Sequence, residues 1–185
     1  MLRPFLIMTV LGLAACSPPP ERLAMRPVQS ALELRPLVGS AMVRTVTLPT
    51  YAAVEEIAFE TPNGLIASNE DILWADDPQR AVTIAITRNL SDILNTNVGP
   101  DPWPFIGLPD VAIDIQVERM LAGANGTFSL TGQFYVGGDG IDYRNISQPF
   151  SISKPMADSS LGGVADAQAA ALLDLSERIA RTLGR

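Results

Sequence analysis

The stretch Val111-Ala112-Ile113-Asp114-Ile115-Gln116-Val117-Glu118, followed after a short gap by Gly123-Ala124-Asn125-Gly126-Thr127-Phe128-Ser129-Leu130, decides the fold. Val111, Ile113, Ile115 and Val117 alternate with Ala112, Asp114, Gln116 and Glu118, the period of a strand with one buried face. Phe128, Leu130, Phe134 and Val136 alternate with Thr127, Ser129, Gln133 and Tyr135 in the same way. Between the two runs stands Asn125-Gly126, a pair that accepts the left-handed backbone of a tight hairpin. Gly137-Gly138-Asp139-Gly140 predicts a second turn, into a third strand near Ile141–Asn145 that continues through Phe150 and Ile152. The expected result is an antiparallel meander.

Helices flank it on both sides. Asp77 is a good N-cap, and Pro78 sits at the first helical position, where its missing N–H costs nothing. Val82, Ile86, Leu90, Ile93 and Leu94 then share one face, and the helix ends before Gly99-Pro100. A second helix spans about Val164 to Leu183, with Ala171, Leu172, Leu175, Ile179 and Leu183 inward and Asp166, Asp174, Glu177 and Arg181 outward. Neither has the basic polar face of a membrane-surface helix. Shorter strand candidates lie upstream at Ala31–Pro36, Met42–Leu48, Glu56–Glu60 and Leu65–Ala67, with a brief helical turn at Thr50–Val54. Together these predict an α/β domain with a mixed, partly antiparallel sheet.

The start of the chain has a different purpose. Arg3 is its only charge before Cys16, and Phe5–Ala15 is almost wholly apolar, the build of an export signal too short to span a bilayer. Leu13-Ala14-Ala15-Cys16 matches the lipobox of bacterial lipoproteins at every position. The division expected is 1–15 as signal peptide, 16–28 as lipidated cysteine and Pro-rich tether, and 29–185 as one periplasmic domain. The tether begins with Ser17-Pro18-Pro19-Pro20, a stiff spacer, and the folded part starts between Glu21 and Gln29. Cys16 is the single cysteine of the chain, so no internal disulfide exists, and acylation consumes a thiol otherwise exposed to an oxidising compartment. Ser17, in place of an inner-membrane-retaining Asp, favours the outer membrane, with the domain on its periplasmic face.

Composition narrows the chemistry. The net charge is −7, and one more negative once Arg3 leaves with the signal, which argues against nucleic acid as a partner. The chain has no histidine, the commonest general base and metal ligand. Asp139 and Asp142 supply two carboxylates to a Gly-rich turn where a calcium loop needs about six to eight oxygens. Glu55-Glu56 and Asp76-Asp77 read as solvated charge and helix capping. Lys154, the sole lysine, stands beside Pro155 with no serine placed by the sequence to pair with it. The expectation is therefore no catalytic residue, no metal site, no cofactor beyond the covalent lipid on Cys16, and no enzyme.

One other feature stands out. Pro100-Asp101-Pro102-Trp103-Pro104-Phe105-Ile106-Gly107-Leu108 is a Pro-rich loop laden with bulky apolar side chains. Either Trp103, Phe105 and Ile106 are anchors for a partner protein, lipid or acyl chain, or Trp103 and Phe105 fold back to cap the sheet.

Several of these segments resemble the PqiC/YmbA family, auxiliary lipoproteins of ABC-type transport systems linked to paraquat-inducible (Pqi) membrane proteins. The residues that carry the resemblance are Val46-Thr47-Leu48-Pro49-Thr50-Tyr51, Ile57-Ala58-Phe59-Glu60 and Leu73-Trp74-Ala75-Asp76-Asp77-Pro78, with the hairpin from Asp110 to Val136 and the closing helix. Leu73 stands where the family often has Arg, and Asp77 is an additional acidic residue before Pro78. The resemblance implies a three-layer α/β sandwich of anticodon-binding-like or TolB N-terminal-like topology. It also implies a non-catalytic adaptor for an MCE-domain protein in intermembrane lipid transport and membrane integrity, with a ring of identical subunits among the arrangements it allows. Trp74 joins Trp103, Phe105 and Ile106 as a candidate contact residue. The alternatives are a periplasmic carrier of lipid or another apolar ligand, and a lipoprotein regulator of cell-wall enzymes.

Overall fold

The computed structural model describes residues 19–185; the signal segment, Cys16 and the first residues of the tether lie outside the described residues. The strands are β1 (Glu21–Leu23), β2 (Ser40–Val43), β3 (Glu56–Glu60), β4 (Ile66–Trp74), β5 (Asn97–Pro100), β6 (Val111–Ala122), β7 (Thr127–Gly138) and β8 (Ile146–Pro155), and the helices are α1 (Pro78–Leu94) and α2 (Leu161–Leu183). The strands form one mixed sheet organised around β6.

One edge of β6 pairs antiparallel with β7 from Val111↔Gly138 to Ala122↔Phe128, and β7 pairs antiparallel with β8. The other edge is too long for any single neighbour and is covered piecemeal. β2 runs parallel to its start, Ala41↔Val111 to Val43↔Ile113. Past the end of β2, the Arg44 N–H donates to Ile113 O and the Thr47 N–H to Ile115 O, while Thr47 O accepts from the Val117 N–H. The Tyr51 hydroxyl then accepts the Met120 N–H at 3.2 Å. β3 meets the last residue, Phe59↔Ala122. β5 extends the sheet beyond β2, and β4 then β1 extend it beyond β3.

Alternation in β6 and β7 sends Val111, Ile113, Ile115, Leu130, Phe134 and Val136 into the core, as the sequence predicts. The register slips between Val117 and Arg119, a bulge that moves Met120 and Ala122 onto the inner face. Opposite it stands Gly132, where a Cβ would collide with the Gln116 carbonyl and the Phe150 ring.

Both helices cover the same face of the sheet. The Asp77 carboxylate accepts the Arg80 N–H at 2.8 Å, Pro78 opens the first turn, and Asn95 closes α1 in the left-handed region. The Ser160 hydroxyl caps α2 by accepting the Gly163 N–H. The helices run side by side in the same direction, joined by a buried bond from Asn89 Nδ2 to Ser176 Oγ and meeting again at Leu94 and Gly184. The opposite face of the sheet is polar along β7 and β8, and at the β5 end Trp103 and Pro104 lie against Gly99.

An extended segment, 24–37, crosses the outside of the helix pair. Arg26 pairs with Asp166 (3.2 Å) and Ser30 Oγ donates to Glu177 (2.7 Å). The Leu34, Arg35 and Leu37 N–H groups donate to Ile93, Arg185 and Leu183 carbonyls. Met25, Leu32 and Leu34 pack on the core from this side.

Several boundaries differ from expectation. β1 and the packed segment behind it put the start of the fold at Glu21, the near end of the expected Glu21–Gln29 range and ahead of a domain counted from residue 29, because Leu23 packs with Ile57, Trp74 and Ala165. Ala31–Pro36 is extended but lies on the helices outside the sheet, so its alternation reflects a helical surface. β4 is much longer than Leu65–Ala67, β5 was not expected, and residues 141–145 form a connection before β8.

Candidate docking site

The Pro-rich loop leaves β5 where the Asp101 N–H donates to Val43 O. Its root is pinned by close approach: a Cβ on Gly99 would meet Pro104 Cδ at 2.7 Å and the Trp103 ring at 3.0 Å. Only glycine lets the indole and the pyrrolidine ring lie on the strand. Trp103 is therefore half-buried, with Phe105 edge-on to it at 4.9 Å between centroids and 64° between planes. The Trp103 Nε1–H is buried and has no acceptor among the described residues.

Beyond that pin the loop turns outward. Phe105 is 47% exposed, Ile106 fully exposed and Leu108 70% exposed. Gly140 lies against Leu108 and Pro109, which brings the exposed Ile141 to the same end of the sheet. The Asp110 carboxylate accepts the Gly39 N–H at 2.7 Å, and Ser40 Oγ accepts the Asp110 N–H, closing the loop onto β2. Of the two side chains expected to fold back, Trp103 does so, while Phe105 stays about half exposed and Ile106 and Leu108 face solvent. Leu108 and Ile141 add exposed apolar surface at this end; Leu108 was already part of the Pro-rich run, whereas Ile141 was expected in a strand.

Trp74 belongs elsewhere. It ends β4, separated from β5 in the sheet order by β3, β6 and β2, and it is buried against Ile57 and Ala165. Its backbone is fixed by the Glu55 carbonyl and by Arg22, whose guanidinium bridges Trp74 O and the Glu55 carboxylate, each at 2.9 Å. Trp74 also lines a cavity of about 380 Å³ beneath residues 23–28, bounded by Ala81, Ile84 and Arg88 of α1 and by Ala169 and Leu172 of α2. A second cavity, about 450 Å³, lies near the β6–β7 turn between Phe59, Ala122, Met156 and Leu161. Trp103, Phe105 and Ile106 line neither.

The ionisable groups are arranged as braces. Lys154 on β8 and Arg178 both bond the Asp174 carboxylate of α2, at 2.9 and 2.8 Å. Burial pushes the Asp174 pKa up, but the bonds and charges of Lys154 and Arg178 outweigh it and hold the group below the usual carboxylate range. Asp158 is also held low, by the hydrogen bonds it accepts from Ser160. Among the described residues no group of three or more His, Cys, Asp or Glu is placed to hold a metal ion, and no helix is long and apolar enough to cross a membrane.

A helix-backed mixed sheet that holds an exposed apolar loop at one end of its central strand defines an α/β fold. The chain belongs to the family of ABC-type transport auxiliary lipoprotein components, whose model matches residues 23–180. Among solved structures, it is similar in fold to an uncharacterized protein, with a TM-score of 0.69 and 19% identity over 88% of this chain and 99% of that one. A protein from Xanthomonas campestris of the DUF330 family has the same fold, with a TM-score of 0.69 and 16% identity over 87% of this chain and 94% of that one. No curated protein matches the chain.

Proposed function

We propose that this auxiliary lipoprotein is a non-catalytic adaptor: Cys16 carries the lipid anchor, and the domain docks an MCE-type periplasmic protein of a Pqi-like lipid-transport system. Ser17 after the cysteine favours the outer membrane as the anchoring surface. The observation that carries the docking role is the cluster of Phe105, Ile106 and Leu108, large apolar side chains held in solvent by a loop whose root is pinned at Gly99. Exposed apolar side chains on a rigid base lose little conformational entropy when a partner covers them, the property of binding hot spots.

The test is recovery of partners from membranes in mild detergent. The wild-type lipoprotein should bring down an MCE-domain protein, and the mass of that complex reports whether the subunit repeats as a ring. An Ile106→Ser, Leu108→Ser double variant, altered only at exposed positions, should recover about tenfold less or below. Recovery of the wild-type protein alone, or equal recovery by the variant, argues against the adaptor.

A second reading, a carrier of an apolar ligand, is favoured by the cavity beside Trp74, whose volume of about 380 Å³ falls in the range of small-ligand sites. Native mass spectrometry of the domain decides it: a co-purifying lipid supports the carrier, and a bare protein mass disposes of it.

A further inference from the structure

We infer that the β3–β4 turn is a membrane contact, seated on the same bilayer that holds the acyl chains of Cys16. This rests on Cys16 being lipidated. The described chain supplies the direction. β1 runs parallel to the end of β4, Glu21↔Ile72 to Leu23↔Trp74, so the chain followed backward from Glu21 heads toward Ile66 and the β3–β4 turn. Five residues separate Glu21 from Cys16, a reach of at most about 17 Å. Ile66 lies six residues up β4 from Ile72, about 20 Å away. The described chain thus sets out toward the end of the sheet where β3 and β4 are joined, and the length that remains before it suffices for an anchor on that side.

That end is built for an apolar surface. Leu65 is 67% exposed, Ile66 47% and Phe59 38%. The turn presenting them is stiff: the Thr61 N–H donates to Leu65 O at 2.8 Å, and Thr61 Oγ1 bonds both the carbonyl and the N–H of Leu65. In a chain of net charge −7, residues 61–66 contain no charged side chain, and neither does the neighbouring β6–β7 turn, 123–126. The charges flanking these turns are Glu60, paired with Arg119 at 3.0 Å, and Asp158, tied to Ser160. Uncharged turns with exposed Leu, Ile and Phe add interfacial burial to that of the acyl chains, since both gain by taking methylenes out of water. The docking loop stands at the other end of β6, eleven residues and about 36 Å away. Its apolar residues thus face away from the anchoring bilayer.

The test uses full-length lipidated protein in vesicles of phosphatidylethanolamine and phosphatidylglycerol. Cys16 is the sole cysteine and is consumed by lipid, so Leu65→Cys and, separately, Ile106→Cys each give one site for an environment-sensitive fluorophore. The probe at 65 should shift to the blue and lose most of its intensity to doxyl-labelled lipid, while the probe at 106 keeps its aqueous emission. An unquenched probe at 65, or quenching at 106 instead, overturns the inference. So does a blue shift at 65 that persists in detergent without lipid quenching, which identifies a second copy of the chain as the occupant. Intact mass measured on the same sample separates a failed premise from a failed inference: an unmodified Cys16 removes the anchor, and the proposal with it.

Discussion

The Tyr51 hydroxyl replaces a strand at one point on β6. Between Thr47 and Phe59 no neighbouring backbone reaches the β6 edge at Met120, and an unpaired N–H there would cost about 1–3 kcal/mol. Pro49 makes the reach available: its carbonyl accepts the Ala52 and Ala53 N–H groups, folding Thr50–Ala52 into a single helical turn that aims the tyrosine inward. Val46 is fixed by Thr83 of α1, whose hydroxyl accepts its N–H at 3.0 Å. The segment Val46–Tyr51, read in the sequence as the end of a strand candidate and the start of a helical turn and also carried by the family resemblance, is thus the brace of the central strand. Tyr51→Phe keeps the ring and removes the acceptor. It should lower unfolding stability by about 1 kcal/mol, seen as a reduced urea midpoint at unchanged slope.

At the scale of elements, β8 is held to α2 by Lys154, Asp174 and Arg178 as well as by apolar packing. The folded-state pKa of Asp174 is lowered, so its contribution is present above the unfolded carboxylate value near 3.8 and is lost as pH falls through the lower folded value. Asp174→Asn should therefore cost about 1 kcal/mol at neutral pH and flatten the loss of stability below about pH 4, in thermal melts taken from pH 2.5 to 7. Element by element, legibility followed whether a segment's burial partner imposed a period on it. β6, β7 and α1 each have one buried face and were readable to within a few residues. In β4, Ser68, Glu70 and Asp71 are exposed and Ile72 and Leu73 only half-buried, so no period of two survives. β5 is written Asn97-Val98-Gly99-Pro100 and is a strand solely because β2 pairs with it. Gly162 and Gly163 masked the first turn of α2, which the Ser160 cap supports. The 100–108 loop was legible as a Pro-rich apolar run. Which of its side chains turn outward depends on the fit of Trp103 and Pro104 against Gly99, a contact no local pattern records.

For the whole molecule, the segment before residue 38 is the part most easily mistaken for a leash. It buries Leu23 against Trp74, lays Met25, Leu32 and Leu34 on the helix pair, and ties Arg26 and Ser30 to α2. A domain beginning at Glu21 should match the stability of the mature chain. One beginning at Gln29 loses β1, the Arg22 and Arg26 bonds and the lid of the cavity beside Trp74, and should be less stable by roughly 1–3 kcal/mol. Parallel urea titrations of the two lengths check this, and equal midpoints would show that residues 21–28 are spacer after all.

The placement of β1 also decides how the protein bears load. If the bilayer and a docked partner draw apart, tension enters at Glu21 and leaves through the loop beyond Pro100. Because β1 lies parallel to the end of β4, a pull on its first residue along the strand would slide it lengthwise, stressing the paired residues Glu21, Arg22 and Leu23 and the Arg22 guanidinium together. Peeling would break them one after another; sliding requires that they yield at once. Under such a load the short strand would act as a cleat, its three rungs holding or yielding together.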